Sequence, residues 1–246
     1  MTDDHALRAA FRRGDSDSVR QTASEQLVAA RRIGDRLGEI EALYALSRVA
    51  LRDNKLPAAV DAAQEALDVA RKAGDRALEE RPLHVLAAVA RLSGDHARAK
   101  ALYEASISLN RELGNVTHVH TEHHNLALTE LHLGNIDRAR ALITENEERV
   151  RRGGLDDFVP YLGLASAALA LADEDPRRAA RMIGFTERAF AGLNQVPDPD
   201  DARELAALRD RVADVLDADA VQTEFSVGAE WSATDAFGGI WPGRSS

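Results

Sequence analysis

Histidine is concentrated in one short stretch of the chain. Four of the eight histidines lie within seven residues, at positions His118, His120, His123 and His124. His120 and His124 are four residues apart, so on a helix their imidazoles share one face. Imidazole nitrogens together with a carboxylate are ligands that suit zinc and other divalent first-row metals. The stretch therefore raises one chemical hypothesis, a metal site.

A matching pair of residues occurs forty positions earlier. Glu80 and His84 have the same spacing as His120 and His124. If both stretches are neighbouring parallel helices about 10 Å apart, the four side chains could converge on one metal ion. Pro82 lies within the first pair and can kink a helix there. The alternative is that His84 and His124 line a groove that contacts a ligand.

Two columns of turn residues repeat along the chain with a period of forty residues. One column consists of Gly34, Gly74, Gly114 and Gly154; the other, half a period out of phase, consists of Gly14, Asn54, Gly94, Gly134 and Glu174. A fixed period of this length is the signature of a repeat protein, in which each unit packs on its neighbours. The histidine pairs are thus expected to occupy equivalent positions in successive units.

The turn columns also divide the chain into helices. Most of these residues are followed by Asp or Asn, which is typical of a left-handed helix end followed by the cap of the next helix. In the runs between them, apolar residues recur about every 3.6 residues, which is typical of an amphipathic helix. We predict one helix of each pair, A, at 36–52, 76–92, 116–132 and 157–172, after a short helix at 3–13. We predict its partner, B, at 15–33, 56–73, 96–113, 136–152 and 176–192.

Small residues recur at fixed positions in the predicted helices. They are Ser47, Ala87, Ala127 and Ala167 in the A helices, and Ala59, Ala99, Ala139 and Ala179 in the B helices. Small residues of this kind allow two helix backbones to approach closely. This pattern resembles the tetratricopeptide repeat, although the unit here is 40 residues rather than the usual 34. The longer form is similar to the C-terminal sensor regions of actinobacterial transcription regulators and associated ATPases.

The resemblance implies a fold and a binding surface. It implies an all-α, right-handed superhelix of antiparallel helix pairs, a tetratricopeptide-like α-solenoid, in which the A helices line a concave groove. The residues that match groove positions, or that could hold a carboxylate there, are Tyr44, Arg48, Arg81, His84, His124 and Asn125. Asn125 matches a position where the family often places an Asn that bonds a peptide backbone. Larger members carry output domains, so we expect the output to lie on another chain.

The C-terminal part departs from the repeat. We expect helical repeats over 1–195, a capping helix and closing segment over 196–230, and a flexible tail over 231–246. The polar connection at 193–201 precedes a predicted helix at 201–217, with Leu205, Leu208 and Val212 along one stripe. A solenoid needs such an element to cover its last open face.

Composition limits the classes of function. The chain of 246 residues has a formal net charge of −10, which disfavours nucleic-acid binding, and it has no cysteine for a thiolate metal site. No apolar run is long enough to span a membrane and the N-terminus has no apolar signal region, so we expect a cytoplasmic protein. Adjacent acidic pairs point in different directions on a helix, and no catalytic motif is present.

We therefore expect a non-catalytic interaction or sensor module without a cofactor. It would bind a peptide, a protein segment or a small effector in the groove. The alternative is a metal-binding protein or metal-assisted enzyme that uses Glu80, His84, His120 and His124. The oligomeric state is left open.

Overall fold

A computed structural model describes the backbone of residues 2–239 and residue 241, and their side chains apart from those of residues 2–5, 116 and 117. Throughout these residues the secondary structure is helical, with no strand. This confirms the all-α class. The residues beyond position 241, where part of the predicted flexible tail falls, lie outside the described residues.

Thirteen α-helices follow one another in the described residues. They are α1 (Thr2–Arg12), α2 (Ser16–Ile33), α3 (Arg36–Arg52), α4 (Leu56–Ala73), α5 (Glu80–Leu92), α6 (His96–Glu112), α7 (Val116–His132), α8 (Ile136–Gly153), α9 (Val159–Ala172), α10 (Pro176–Gly192), α11 (Pro199–Ala213), α12 (Ala218–Ala229) and α13 (Ala233–Phe237). The predicted A helices correspond to α3, α5, α7 and α9, and the B helices to α2, α4, α6, α8 and α10.

The repeating turns have the backbone conformation that the sequence predicts. Every residue in both turn columns has a positive φ, including the non-glycine residues Asn54 and Glu174, at 59° and 60°. Asn194 continues one column by another forty residues, with φ 52°. The side chains of Asp35 and Asp95 accept hydrogen bonds from backbone N–H groups of the helices that follow them. Each turn thus ends one helix, and where an Asp follows the turn its side chain caps the next helix.

Two A helices differ from the prediction at their first turn. Before α5, residues Arg76–Glu79 form a 3-10 helix, and before α9, Asp156–Phe158 do the same. Pro82 and Pro160 therefore lie in the first turn of their α-helices, where a missing backbone N–H removes no internal hydrogen bond. The proline beside His84 is accommodated there, and the α-helix starts four residues later than predicted.

The chain packs as two compact units. Unit 1 comprises residues 1–122 and 196–200, and unit 2 comprises residues 123–195 and 201–246, so the boundary falls inside α7. The eight small residues of the repeating columns are all fully buried, as predicted: Ser47, Ala59, Ala87, Ala99, Ala127, Ala139, Ala167 and Ala179. They permit the close helix packing from which the core of each unit is built.

In unit 2, α12 rather than the predicted helix at 201–217 packs most closely on α10. A Cβ atom added to Gly228 would lie 1.8 Å from the carbonyl oxygen of Arg181, and one added to Gly184 would lie 2.2 Å from that of Phe225. Glycine at both positions lets the two backbones touch. Glu224 of α12 then binds Arg177 and Arg181 of α10, at 2.7 and 2.5 Å.

The residues after α12 also differ from the predicted flexible tail. Ser232 caps α13 in a capping box with Asp235. Phe237 then packs edge-on against Phe185, with 5.5 Å between ring centroids, and contacts Trp241. Aromatic burial and a capped helix give this stretch defined tertiary contacts in unit 2. None of the described helices has both the length and the apolar character that crossing a membrane requires.

Candidate functional site

A short segment of the chain lies against three A-type helices of unit 1. The segment is Val196–Asp200, in which residues 196–198 end the connection from α10 and Pro199 and Asp200 begin α11. Its Val196 N–H donates to the carbonyl of Arg12 at the end of α1, over 2.9 Å. Asp198 binds Arg48 of α3, and Asp200 binds Arg91 of α5. We call the surface formed by Arg12, Arg48 and Arg91 the acceptor face.

Local sequence keeps this segment extended until α11 begins. Pro197 and Pro199 fix their own φ angles and disfavour the helical conformation of the residue before each of them. Neither proline has an N–H group, so neither brings a backbone donor that needs an acceptor while it lies on another helix. Pro199 then occupies the first position of α11, where a proline is well suited. The segment therefore presents its two carboxylates from a stiff backbone.

The guanidinium group of Arg48 is held by aromatic rings. It lies 3.8 Å from the ring centroid of Phe11 and 5.5 Å from that of Tyr44. Arg52 lies at the same distance above Phe11 and donates to the Phe11 carbonyl. Stacking on aromatic faces orients a guanidinium before it meets a carboxylate. Arg48 is thus positioned by the helices and not only by Asp198.

Arg91 and Asp200 form the buried part of the acceptor face. Their side chains are 4% and 8% exposed. Burial by itself raises the pKa of Asp200, but the charge and hydrogen bond of Arg91 outweigh it and lower the pKa below its ordinary value. The carboxylate is therefore ionised at neutral pH. Arg48 and Asp198, by contrast, are 19% and 28% exposed, so their ion pair is accessible to water.

A second polar group in unit 1 contains two of the predicted metal ligands. His84 Nδ1 lies 3.0 Å from Glu122 Oε1, which also accepts a hydrogen bond from Ser106 at 2.9 Å. His118 Nδ1 lies 3.1 Å from Glu80 Oε1. The structure thus pairs each of these two histidines with its own carboxylate.

These contacts determine the charge of His84. Burial lowers its pKa, but Glu122 above all, with Asp200 and Glu80, outweighs burial and raises the pKa to about 9. Burial raises the pKa of Glu80, and the neighbouring imidazoles of His118 and His84 overcome this effect and lower it. At neutral pH, His84 is therefore a cation within a group of carboxylates. A protonated imidazole cannot be a metal ligand.

An open cleft lies beside Arg48, and we call it the Tyr44 cleft. Its empty volume, which includes space open to solvent, is about 310 Å³. The cleft is lined by Leu7, Arg8, Phe11, Val19, Glu41, Tyr44, Ala45, Arg48 and Arg81. The guanidinium of Arg81 binds Glu41 and lies 5.3 Å from the Tyr44 ring centroid. Burial raises the pKa of Tyr44, so its hydroxyl stays neutral. The cleft combines apolar walls with positive groups at its rim.

The remaining predicted groove residues belong to unit 2 and are buried there. His124 Nε2 lies 3.1 Å from Asp201 Oδ1, and these side chains are 1% and 4% exposed. The ring of His124 packs edge-on against Phe158 and Tyr161. Asn125 is 3% exposed. This differs from the prediction that His124 and Asn125 face an external ligand, because in unit 2 the first turn of α11 covers His124.

The other histidines of the cluster differ in exposure. The side chain of His123 is 3% exposed, and its Nδ1 accepts a hydrogen bond from Arg149. The side chain of His118 is 41% exposed. His120 is buried, at 6%. Within the ranges that the structure describes, no three His, Cys, Asp or Glu side chains form a group that could hold a metal ion. The metal site of Glu80, His84, His120 and His124 therefore has no geometric support and stays a prediction.

The sequence did not identify Asp198, Asp200 and Asp201 as functional residues. They lie in the stretch LNQVPDPDD, which its prolines and polar residues mark as a connection. A usable signal was present, since alternating proline and aspartate favour an extended backbone with carboxylates on one side. That signal identifies a possible ligand, but it does not identify the surface that the ligand contacts.

Comparison with known proteins gives a likeness in fold. The chain matches no protein-family model, and no curated protein is significantly similar to it in sequence. Among solved structures it is similar to BtubC (BKLC) from P. vanneervenii, with a TM-score of 0.60 and 20% sequence identity. The match covers 94% of this chain and 95% of that chain. At this identity, the likeness shows that the two chains share a fold and nothing about their ligands.

Proposed function

We propose that this protein is a tetratricopeptide-like interaction module that binds a peptide or protein segment and catalyses no reaction. In this proposal the helix pairs form a right-handed superhelix, and the A helices line its concave surface. The module acts in the cytoplasm, and its acidic net charge of −10 disfavours nucleic acid as a partner. Its repeat pattern resembles that of the sensor regions of actinobacterial regulators.

One observation carries this proposal: the acceptor face already holds a short segment of the chain. The contacts are those by which a protein recognises a peptide, because one backbone N–H and two carboxylates of the segment each bind a different helix. Arg48, which the sequence placed in the groove, makes one of these contacts. The helices are thus suited to bind extended chain, whether that chain comes from the same molecule or another.

Preformed geometry explains how such binding would be favourable. The ring of Phe11 holds Arg48 and Arg52, so little side-chain freedom is lost when a carboxylate arrives. Hydrogen bonds between ionised partners are about twice as strong as neutral ones and impose orientation. Rigid helices with oriented guanidinium groups therefore supply both affinity and specificity.

A small effector is the second candidate, and the Tyr44 cleft favours it. The cleft is open to solvent, and its lining combines apolar side chains such as Leu7 and Phe11 with arginines. The positive rim formed by Arg8, Arg48 and Arg81 would suit a carboxylate or another anion. The cleft is contiguous with the acceptor face through Arg48, so it also suits a side chain of a bound peptide.

Selection from a library of random peptides displayed on phage tests the main proposal. Enriched peptides should bind the wild-type chain and bind Arg48→Gln at least ten times more weakly. The matched control is Arg140→Gln, a change on α8 that breaks an exposed ion pair between Arg140 and Asp173. It should leave peptide binding unchanged. If no peptide is enriched, or if enriched peptides bind Arg48→Gln as well as wild type, the acceptor face is not a peptide-binding site.

A further inference from the structure

The segment Val196–Asp200 occupies the surface that the proposed function assigns to a partner. We infer that this segment is an internal competitor, and that the partner is an acidic peptide with carboxylates two positions apart in sequence, which displaces it. This inference rests on the proposed function and adds the chemical class of the partner and a form of regulation. It follows from the contacts of the segment, the exposure of each contact and the adjoining cleft.

The spacing of the contacts defines the chemistry of the partner. Asp198 is the last residue before α11 and Asp200 is the second residue of that helix, and they reach Arg48 and Arg91 on successive A helices. A further two residues back, Val196 donates its backbone N–H to Arg12. A peptide with a donor at i−2 and carboxylates at i and i+2 would repeat all three contacts.

The exposure of the contacts indicates where displacement begins. The ion pair of Asp198 is partly open to water, and such pairs contribute little to stability. The ion pair of Asp200 is buried, and Asp200 itself lies in the first turn of α11. The stretch from Val196 to Asp198 therefore leaves the acceptor face at lower cost than Asp200. An incoming peptide would first replace Asp198 on Arg48.

An external peptide must compensate for the advantage of being tethered. A short tether gives the internal segment an effective concentration of the order of millimolar. The Tyr44 cleft provides the compensating contact, because it adjoins Arg48 and none of its lining residues comes from the segment 196–200. The partner is therefore an acidic peptide that also carries an apolar or aromatic side chain near its first carboxylate. Phe11 and Tyr44 would contact that side chain.

Fluorescence anisotropy with a labelled synthetic peptide tests the inference. The peptide LNQVPDPDDA copies residues 193–202, and a control peptide has asparagine in place of the aspartates that correspond to Asp198 and Asp200. The key protein variant is Asp198→Asn, which weakens the internal contact and leaves Arg48 intact. We expect this variant to bind the acidic peptide about three to five times more tightly than wild type does, because a partly exposed ion pair contributes only weakly. The control peptide should bind neither protein.

The matched control protein is Asp214→Asn, an exposed residue between α11 and α12. It should bind the acidic peptide as wild type does. Circular dichroism melting establishes that Asp198→Asn is folded. As a measurement that needs no variant, hydrogen exchange of the Val196 amide in wild type should accelerate when the peptide is added at saturation.

Equal affinity of wild type and Asp198→Asn for the acidic peptide would overturn the inference. An unchanged exchange rate at Val196 in the peptide-saturated protein would do the same. These failures are distinct from failure of the proposed function. If phage-selected peptides bind both proteins equally and depend on Arg48, the acceptor face binds peptides but the internal segment does not compete. If no peptide of either source binds either protein, both proposals are wrong.

Discussion

Arg48 and Asp198 form an ion pair although 150 positions separate them along the chain. Arg48 lies on the third helix, and Asp198 lies in the connection that precedes the eleventh. The pair brings a residue that the repeat pattern marks for binding into contact with a residue that the pattern does not cover. The consequence is that the chain itself covers the surface that we propose as the binding site for an acidic peptide.

The buried ion pair of Arg91 and Asp200 should behave differently from an exposed one. Asp200→Asn leaves the Arg91 cation without its counter-ion in a nearly buried position, so we expect it to lower the free energy of unfolding by about 3–5 kcal/mol. Arg91→Met combined with Asp200→Leu should recover most of that loss, because it removes both charges. Urea denaturation followed by circular dichroism measures each change.

The matched control for this pair is Arg140→Gln, whose partner Asp173 is exposed. It should lower the free energy of unfolding by no more than about 1 kcal/mol. A loss of similar size in Asp200→Asn would show that Arg91 is well solvated and that the two residues are not buried together.

The raised pKa of His84 should make stability depend on pH. The pKa is about 9 in the folded chain and near 6.5 when unfolded, so the stabilising contribution is fully present below pH 6.5 and is lost as pH rises through 9. We expect the free energy of unfolding to fall by up to about 3 kcal/mol over this range. His84→Gln should remove this part of the pH dependence.

Denaturant titrations at intervals from pH 6 to pH 10 give the measurement. Ser108→Ala, an exposed change on α6 that adds or removes no titrating group, should leave the shape of the pH curve as in wild type. If His84→Gln and wild type lose stability in parallel between pH 6.5 and 9, the imidazole is not the group responsible.

Packing of α12 on α10 should depend on two glycines. Gly228→Ala would place a Cβ atom 1.8 Å from the backbone oxygen of Arg181, which cannot move without moving α10. We expect overpacking to lower the free energy of unfolding by about 1–3 kcal/mol and to weaken the contacts of Glu224. Differential scanning calorimetry would detect the lower melting temperature.

Gly192→Ala is the matched control on α10, since no atom lies within 4 Å of its added Cβ atom. This change should be neutral or stabilising, because alanine favours the helix over glycine. An unchanged melting temperature for Gly228→Ala would mean that α12 does not pack on α10 at the distance seen in the structure.

Metal analysis decides the alternative hypothesis. His84 is protonated and bonded to Glu122, and His118 is bonded to Glu80, so we expect zinc to find no preformed ligand set. Protein purified without an affinity tag should contain well under one equivalent of any first-row metal by elemental analysis. Added zinc should not raise its melting temperature. One equivalent of bound metal, lost in Glu80→Gln or His120→Ala, would establish the site.

The repeat pattern determined most of the helical architecture. Turn residues such as Gly94 and Asn54 impose a left-handed backbone at fixed intervals, and small residues such as Ala99 fix where helices approach. These are properties of single positions and of a short repeat period, so one sequence is sufficient to predict them. The same reasoning placed Arg48 and Tyr44 on one helix face.

Tertiary structure decided which side chains meet. Asp198 could not be assigned to Arg48 from the sequence, because their contact depends on the path of the whole chain between them rather than on any local preference. The 3-10 turn before Pro82 and the burial of His124 by Asp201 likewise depend on the folded structure and could not be predicted from local sequence. The charge of His84 also depends on the tertiary structure, because carboxylates from three separate segments raise its pKa. Periodicity specifies helices, whereas long-range contacts specify the site.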